Sequence, residues 1–451
     1  MPIIGGTTPA STSVVTADVG SLPGDMVATN CWHNGFRSTG IGAFPGGPGA
    51  GTTRSRHRAA VDCADLCLVY GNIQTPGTTV EVAGPNTYTI KAAVEWNGTL
   101  VPATFTGNLT GTCSPGGLLV SDPIPVEYAK GTDILVRTYA SADGTNVITG
   151  NMILYAGQSN VFVPTSDLTP TGSAAMADAA GPHVGYGPCA ILGASSPTSA
   201  PGVTLAGDSI SYGTGDGGSG GSGSEFGAFG ASPLFSGGFL VRALGRNFGY
   251  SNTAQGSETA ARYVAAHRRA VLIGGSKHLV CAYGINDLSA GRTTAQVQAD
   301  YLTIWRLARL RGASAWQCTV TPSTSSSDSF LTTGGQTPFG GESNRLALNA
   351  WLRDGAPLNA GMLAAVATGT VGALRCATYG TTGALVSAAS GGTGHPCSGV
   401  FDTGGAVEST VGASTWRVDG VTPSYVAGDG THPSTLGHTF MAAAVPTSVF
   451  V

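Results

Sequence analysis

A serine hydroxyl becomes a useful nucleophile only when a neighbouring base takes its proton, and two short segments far apart in the chain supply the residue types for that. The first is Leu205-Ala206-Gly207-Asp208-Ser209-Ile210-Ser211-Tyr212-Gly213, an apolar run that stops abruptly in small and polar residues and places Ser209 where a strand gives way to a turn. The second is Asp429-Gly430-Thr431-His432-Pro433. Asp429 precedes His432 by three residues, a spacing that lets one turn of chain return the carboxylate to the imidazole, fix its tautomer and stabilise the imidazolium formed during attack. Acyl transfer also needs donors aimed at the oxyanion, each typically worth about a hundredfold to a thousandfold in rate. Asn252-Thr253-Ala254-Gln255-Gly256 offers the Gly256 amide where a strand passes into a helix, and Tyr283-Gly284-Ile285-Asn286-Asp287 offers the Asn286 side chain at the end of an apolar strand. Tyr212, close to the nucleophile, is a candidate substrate contact, and Asp287 is expected to bind loop amides rather than substrate.

The intervening elements must bring these segments together. Beyond about residue 200, apolar strands at Val203 to Ala206, His278 to Tyr283 and Trp316 to Thr321 alternate with helical patterns. Val297, Tyr301, Ile304 and Ala308 recur at helical spacing behind a capping box that runs from Thr293 to Gln296. Further helices are expected from Ser257 to Ala270 and from Ser343 to Leu352. Such alternation predicts a parallel sheet covered on both faces, with chemistry in the loops beyond the carboxyl ends of its strands. Residues 54–165 read differently, as short runs such as Leu66 to Tyr70, Thr79 to Val82, Tyr88 to Trp96 and Asp133 to Tyr139 separated by turns, the pattern of a β-sandwich, jelly-roll-like in type. Residues 1–53 form an irregular Gly/Pro/Thr-rich arm containing the cluster Cys31-Trp32-His33-Asn34, and residues 166–451 form the catalytic region. Within the β-region, Cys63 and Cys67 are expected on one face of a strand, and Arg54, Arg56, His57 and Arg58 in a solvated turn. Trp32 and Trp96 suit a core better than a sugar-stacking surface.

Taken together and in this order, Gly207-Asp208-Ser209, Gly256, Gly284-Ile285-Asn286-Asp287 and Asp429-Gly430-Thr431-His432 resemble the four sequence blocks of the SGNH (GDSL) hydrolases. The resemblance implies a flavodoxin-like three-layer α/β/α domain and an oxyanion hole made by the Ser209 and Gly256 amides with the Asn286 side chain. It also implies ester hydrolysis by Ser209, His432 and Asp429 with no cofactor and no metal. With a β-domain in front, the chain resembles some carbohydrate esterases, whose substrate would be an acylated carbohydrate, most simply an O-acetylated polysaccharide. The competing expectation is a glycan-binding or structural spike that reuses the fold without catalysis. Two stretches depart from the family pattern: a Gly/Ser-rich run from Gly213 to Gly238, and a long segment from Gly361 to Gly394, each expected to line or cover the substrate site.

Composition narrows the alternatives. Only 10% of the 451 residues are charged, and 21 Lys+Arg against 25 Asp+Glu leave a net charge of -4, too weak a field for a nucleic-acid partner. The nine cysteines fit no zinc spacing and are expected as buried thiols, with a Cys376–Cys397 disulfide conceivable. His33, His183 and His395 are expected to be ordinary loop histidines rather than ligands. No apolar run approaches the roughly 18 residues of a membrane span, and the N-terminus lacks the basic patch and apolar core of a signal peptide. The expectation is therefore a protein without membrane insertion, released if it acts outside the cell by another route, such as a phage-like particle, with other virion proteins or its own copies as partners. The 70 glycines produce chance motifs: Gly217-Gly218-Ser219-Gly220-Gly221 and the dinucleotide-like run from Gly213 to Gly218 lack the flanking elements their chemistry requires.

Overall fold

The computed structural model describes residues 22, 25–29, 50–75, 79–84, 86–142, 152–154, 161–164, 166–170, 176, 183–195, 201–216, 238–245, 247–419 and 424–451. The cluster Cys31 to Asn34, the chance motif Gly217 to Gly221 and most of the Gly/Ser-rich run lie outside them, as does the His183 side chain.

Among the described residues, five neighbouring parallel strands form the centre of the C-terminal sheet: β1 (Val203–Gly207), β2 (Tyr250–Asn252), β3 (His278–Ala282), β4 (Ser314–Cys318) and β5 (Cys397–Phe401). Their order across the sheet is 2-1-3-4-5, the flavodoxin-like arrangement, whose strand order reverses beside β1. All five residues of β1 are buried, which requires cover on both faces and accounts for its unbroken apolar sequence. The cover comes from two helix groups. On one side α1 (Ser209–Tyr212), α2 (Phe239–Leu244) and α7 (Thr435–Ala443) pack together, and on the other α3 (Ala260–Ala265), α4 (Ile285–Ser289), α5 (Thr294–Leu310) and α6 (Glu342–Arg353). The capping box of α5 forms as its sequence predicts, Thr293 accepting from the Gln296 N–H while the Gln296 side chain returns to the Thr293 N–H. Part of the Gly361–Gly394 segment extends the sheet instead of standing beside β1: Ala377–Tyr379 pairs with β5, and Leu385–Ser387 closes the edge.

The helix expected from Ser257 to Ala270 is broken. It comprises α3 and a separate 3₁₀ segment, Arg268–Gly275, with Ala266 extended between them. The break turns the Arg269 side chain inward to buried acids and sets Val271 and Leu272 against the β-region.

In that region two antiparallel sheets enclose one apolar core that includes Leu66, Leu68, Ile90, Val94, Ile134 and Val136. One sheet runs Ala28–Thr29, Ala50–Ala59, Asp133–Ser141, Tyr88–Trp96, Thr99–Pro102, and joins β2 through Thr29. The other pairs Cys63–Gly71 with Ala190–Ser195, Leu118–Val120 and Ile124–Tyr128, and Asp25–Met26 joins it through Ala190–Ser195. Strands from residues 25–29 and 190–195 thus pair with or beside those of residues 54–165. Cys63 and Cys67 do not share a face: Asp65 takes φ 51°, the pairing register shifts there, and Cys63 enters the core between the sheets while Cys67 joins Val69, Leu192 and Leu272 on the opposite side. The basic run lies not in a turn but on the strand Ala50–Ala59, where Arg56 and Arg58 reach Asp133 and His57 is buried. Of the Thr79–Val82 run only Val82 is in a strand, paired with Gln74. Trp96 is partly buried against the core between the sheets. All eight described cysteines are free and buried, Cys376 and Cys397 included. Among the described residues no helix is long and apolar enough to cross a membrane.

Candidate active site

Ser209 opens α1 directly after β1, and Asp208 caps that helix by accepting the Ile210 N–H at 2.9 Å. The site is therefore at the carboxyl edge of the sheet, where the strand order reverses, the position at which open α/β sheets bind ligands. His432 arrives from the other end of the chain. Its Nε2 lies 2.7 Å from Ser209 Oγ, and its Nδ1 lies 2.5 Å from Asp429 Oδ2. With Nδ1–H donated to the carboxylate, Nε2 is left to accept the serine proton.

The turn that makes this pair local is tightly held. Asp429 Oδ1 accepts the backbone N–H groups of Thr431 at 2.9 Å and His432 at 3.0 Å. Gly430 has φ +74°, and a Cβ there would stand 1.8 Å from the Thr324 carbonyl oxygen, so only glycine fits. Its own carbonyl accepts from the Trp416 indole at 2.9 Å and from the Thr324 N–H at 3.0 Å. These contacts tie the acid–base turn to the loop after β4.

The expected oxyanion donors come from the two strands beside β1. Pairing of β2 with β1 continues past the strand, Thr253 N–H to Leu205 O and Gln255 N–H to Gly207 O, which carries Gly256 to the level of Ser209. Neighbouring β3 ends opposite Gly207, at Ala282, and α4 starts three residues later with Asn286 in its first turn. One N–H of the Asn286 amide donates to the Glu258 carbonyl at 3.0 Å, which orients the group. The N–H groups of Ser209 and Gly256 have no acceptor among the described residues, as suits donors reserved for a ligand. Tyr212 is half-buried on α1, within the same helix as Ser209.

Charge follows geometry. Burial alone would raise the Asp429 carboxyl, but the hydrogen bonds from the His432 side chain and from the His432 and Thr431 N–H groups outweigh it and hold the group down at about 2. Asp208, fully buried, is pushed up to about 7 against the pull of the Ile210 N–H. Asp287 is pushed up to about 6 by burial while accepting the Ala260 and Ala261 N–H groups. Asp287 thus holds the start of α3, in line with its expected structural part. His395 is likewise structural, bonded through both ring nitrogens to the backbone at Cys397 and Ala356. Two groups of consequence carry no sequence signal. His438 accepts the Phe239 N–H and faces the Thr214 carbonyl, pinning α7 to α2 and to the loop after α1. Arg269 and Glu258 form a buried ion pair behind Gly256. Their partners are far away in sequence, so spacing could not reveal them. Among the described residues no cluster of His, Cys, Asp or Glu could hold a metal ion.

No family model matches this chain, and no curated protein does. Solved structures do. A GDSL-like lipase from Bacteroides thetaiotaomicron is 13% identical with a TM-score of 0.32, over 54% of this chain and 84% of that one. An acetyl-xylooligosaccharide esterase from Geobacillus is 13% identical with a TM-score of 0.31, over 55% and 92%. A salicylyl acyltransferase from a tetracycline biosynthetic pathway is 12% identical with a TM-score of 0.30, over 87% and 79%.

Proposed function

We propose that this SGNH-like chain is a serine ester hydrolase that removes short acyl groups, in the first instance O-acetyl groups from a polysaccharide. The observation that carries the reading is the continuous hydrogen-bonded relay Ser209–His432–Asp429 at the carboxyl edge of the sheet. Ser209 Oγ attacks the ester carbonyl as His432 Nε2 takes its proton, and the oxyanion is received by the Ser209 and Gly256 N–H groups and the Asn286 amide. His432 then returns the proton to the departing sugar oxygen. Water, deprotonated by the same nitrogen, attacks the acyl carbon, and His432 passes that proton to the departing Ser209 Oγ as the acid is released. Asp429 stays ionised throughout, holding the imidazole and balancing its charge.

The substrate class is supported by the polar and small residues close in the chain to the triad and to Gly256, among them Thr214, Ser257 and Thr431, which suit a carbohydrate ester better than a long acyl chain. The test is hydrolysis of p-nitrophenyl acetate, longer-chain esters and acetylated glycans by wild type, Ser209→Ala and His432→Ala. Either substitution is expected to lower kcat by at least about a thousandfold, with acetate preferred to longer chains. Turnover unchanged by both would remove the assignment. A wild type inactive on every ester would favour the glycan-binding reading, and acyl transfer to an added alcohol would identify a transferase using the same residues.

A further inference from the structure

We infer that Thr75 and Glu81 of the β-region are positioning residues for the oxyanion hole, acting on Gly256 and Asn286 through Gln255, Arg269 and Glu258. The inference rests on the hydrolase reading above. A short two-stranded ribbon, Ile73–Gln74 with Val82–Ala83, presents both residues at its end. Thr75 Oγ1 donates to Gln255 Oε1 at 2.8 Å, with both residues buried. Gln255 directly precedes Gly256, and its own N–H is fixed to Gly207. Glu81 Oε2 stands 3.1 Å from Arg269 Nε, both side chains wholly buried.

Arg269 spans the loop from the other side. It pairs with Glu258, donates through Nη1 to the Thr253 carbonyl at 2.6 Å and lies 5.2 Å over the Tyr263 ring. Residues on either side of Gly256 are therefore held by one guanidinium, and Glu258 in turn accepts the Tyr283 hydroxyl and holds the Asn286 amide. A charge in such a dry setting is strongly coupled to its partners, and removing one partner leaves the others uncompensated. Burial pushes the Glu81 carboxyl up to about 7 against the pull of Arg269. Oxyanion donors act only within about 2.7–3.1 Å of the developing charge, so a small displacement of Gly256 or Asn286 falls on kcat, not on ground-state binding.

The experiment compares full-length wild type, Ser209→Ala, Thr75→Val, Thr75→Ser, Glu81→Gln and Glu95→Gln on p-nitrophenyl acetate. Glu95 pairs with Arg137 inside the β-region and serves as a control for loss of an ion pair away from the loop. Thr75→Val and Glu81→Gln are expected to lower kcat about tenfold at unchanged KM, by analogy with loss of supporting groups behind other reactive centres. Thr75→Ser, which keeps the hydroxyl, and Glu95→Gln are expected to stay within about twofold of wild type. If Glu81→Gln does not fold, the Thr75 pair decides. Ser209-dependent turnover that Thr75→Val leaves intact, or that Glu95→Gln reduces equally, overturns the inference alone. Turnover unchanged by Ser209→Ala overturns the hydrolase reading and the inference with it.

Discussion

Asp429 carries a charge that its surroundings protect, and the pH dependence of the site follows from it. Its folded-state value of about 2 is below the ordinary 3.8, so its contribution to stability is complete above about pH 4 and is lost as the pH falls through 2. The side chain is half-exposed, and solvent screening keeps that contribution small. For catalysis the consequence is that Asp429 stays ionised from about pH 4 to neutrality, so no fall of kcat/KM in that range is expected to come from this carboxylate. Carboxyl-carbon NMR of the wild type checks this, and an Asp429 transition above about pH 4 contradicts it. Asp429→Asn is expected to lower kcat by roughly a thousandfold to ten-thousandfold, because the wrong imidazole tautomer then faces Ser209. Gly430→Ala meets both a positive φ and the Thr324 carbonyl. A loss of roughly 1–3 kcal/mol or more is expected in urea unfolding, accompanied by reduced activity.

At the scale of single elements, function and stability separate. Thr293 caps α5 from an exposed position with its capping box complete, well away from the triad in sequence. Thr293→Ala should therefore cost about 1 kcal/mol in denaturant unfolding while kcat stays unchanged. An altered kcat would mean that α5 communicates with Asn286 more closely than its packing suggests. Gly284 is the converse case. It stands between β3 and α4 at φ +136°, and a Cβ would meet the Val320 side chain at 2.5 Å and the Tyr301 hydroxyl at 2.8 Å. The glycine of the third block is thus demanded by the sharp turn that sets Asn286 at the sheet edge. Both elements were legible because their signals are local: a capping box, and a glycine beside an apolar strand.

Across the whole molecule the two regions share material. Cys67 and Val69 on one face of a β-region strand pack with Val271 and Leu272 of the 3₁₀ segment that follows α3. Leu272→Ala is expected to cost about 2–5 kcal/mol and to lower the unfolding midpoint of the chain as one cooperative transition. Two separated transitions, only one of them shifted, would show that the regions unfold independently. The continuous apolar run Leu66 to Tyr70 records this burial on both faces, yet by itself it could not say that its second neighbour lies some 200 residues further on.

The sequence by itself determined the candidate trio Ser209, His432 and Asp429, the order of the four blocks and the alternation of strands and helices, because each is written within a few residues of chain. Tertiary structure alone decided the rest. The bulge at Asp65 separated Cys63 from Cys67, the inward turn of Arg269 broke a helix whose periodicity looked intact, and the ribbon bearing Thr75 and Glu81 came to rest behind Gly256. Those outcomes depend on which distant groups can satisfy a buried charge or hydroxyl, and such partners leave no periodic trace in the chain.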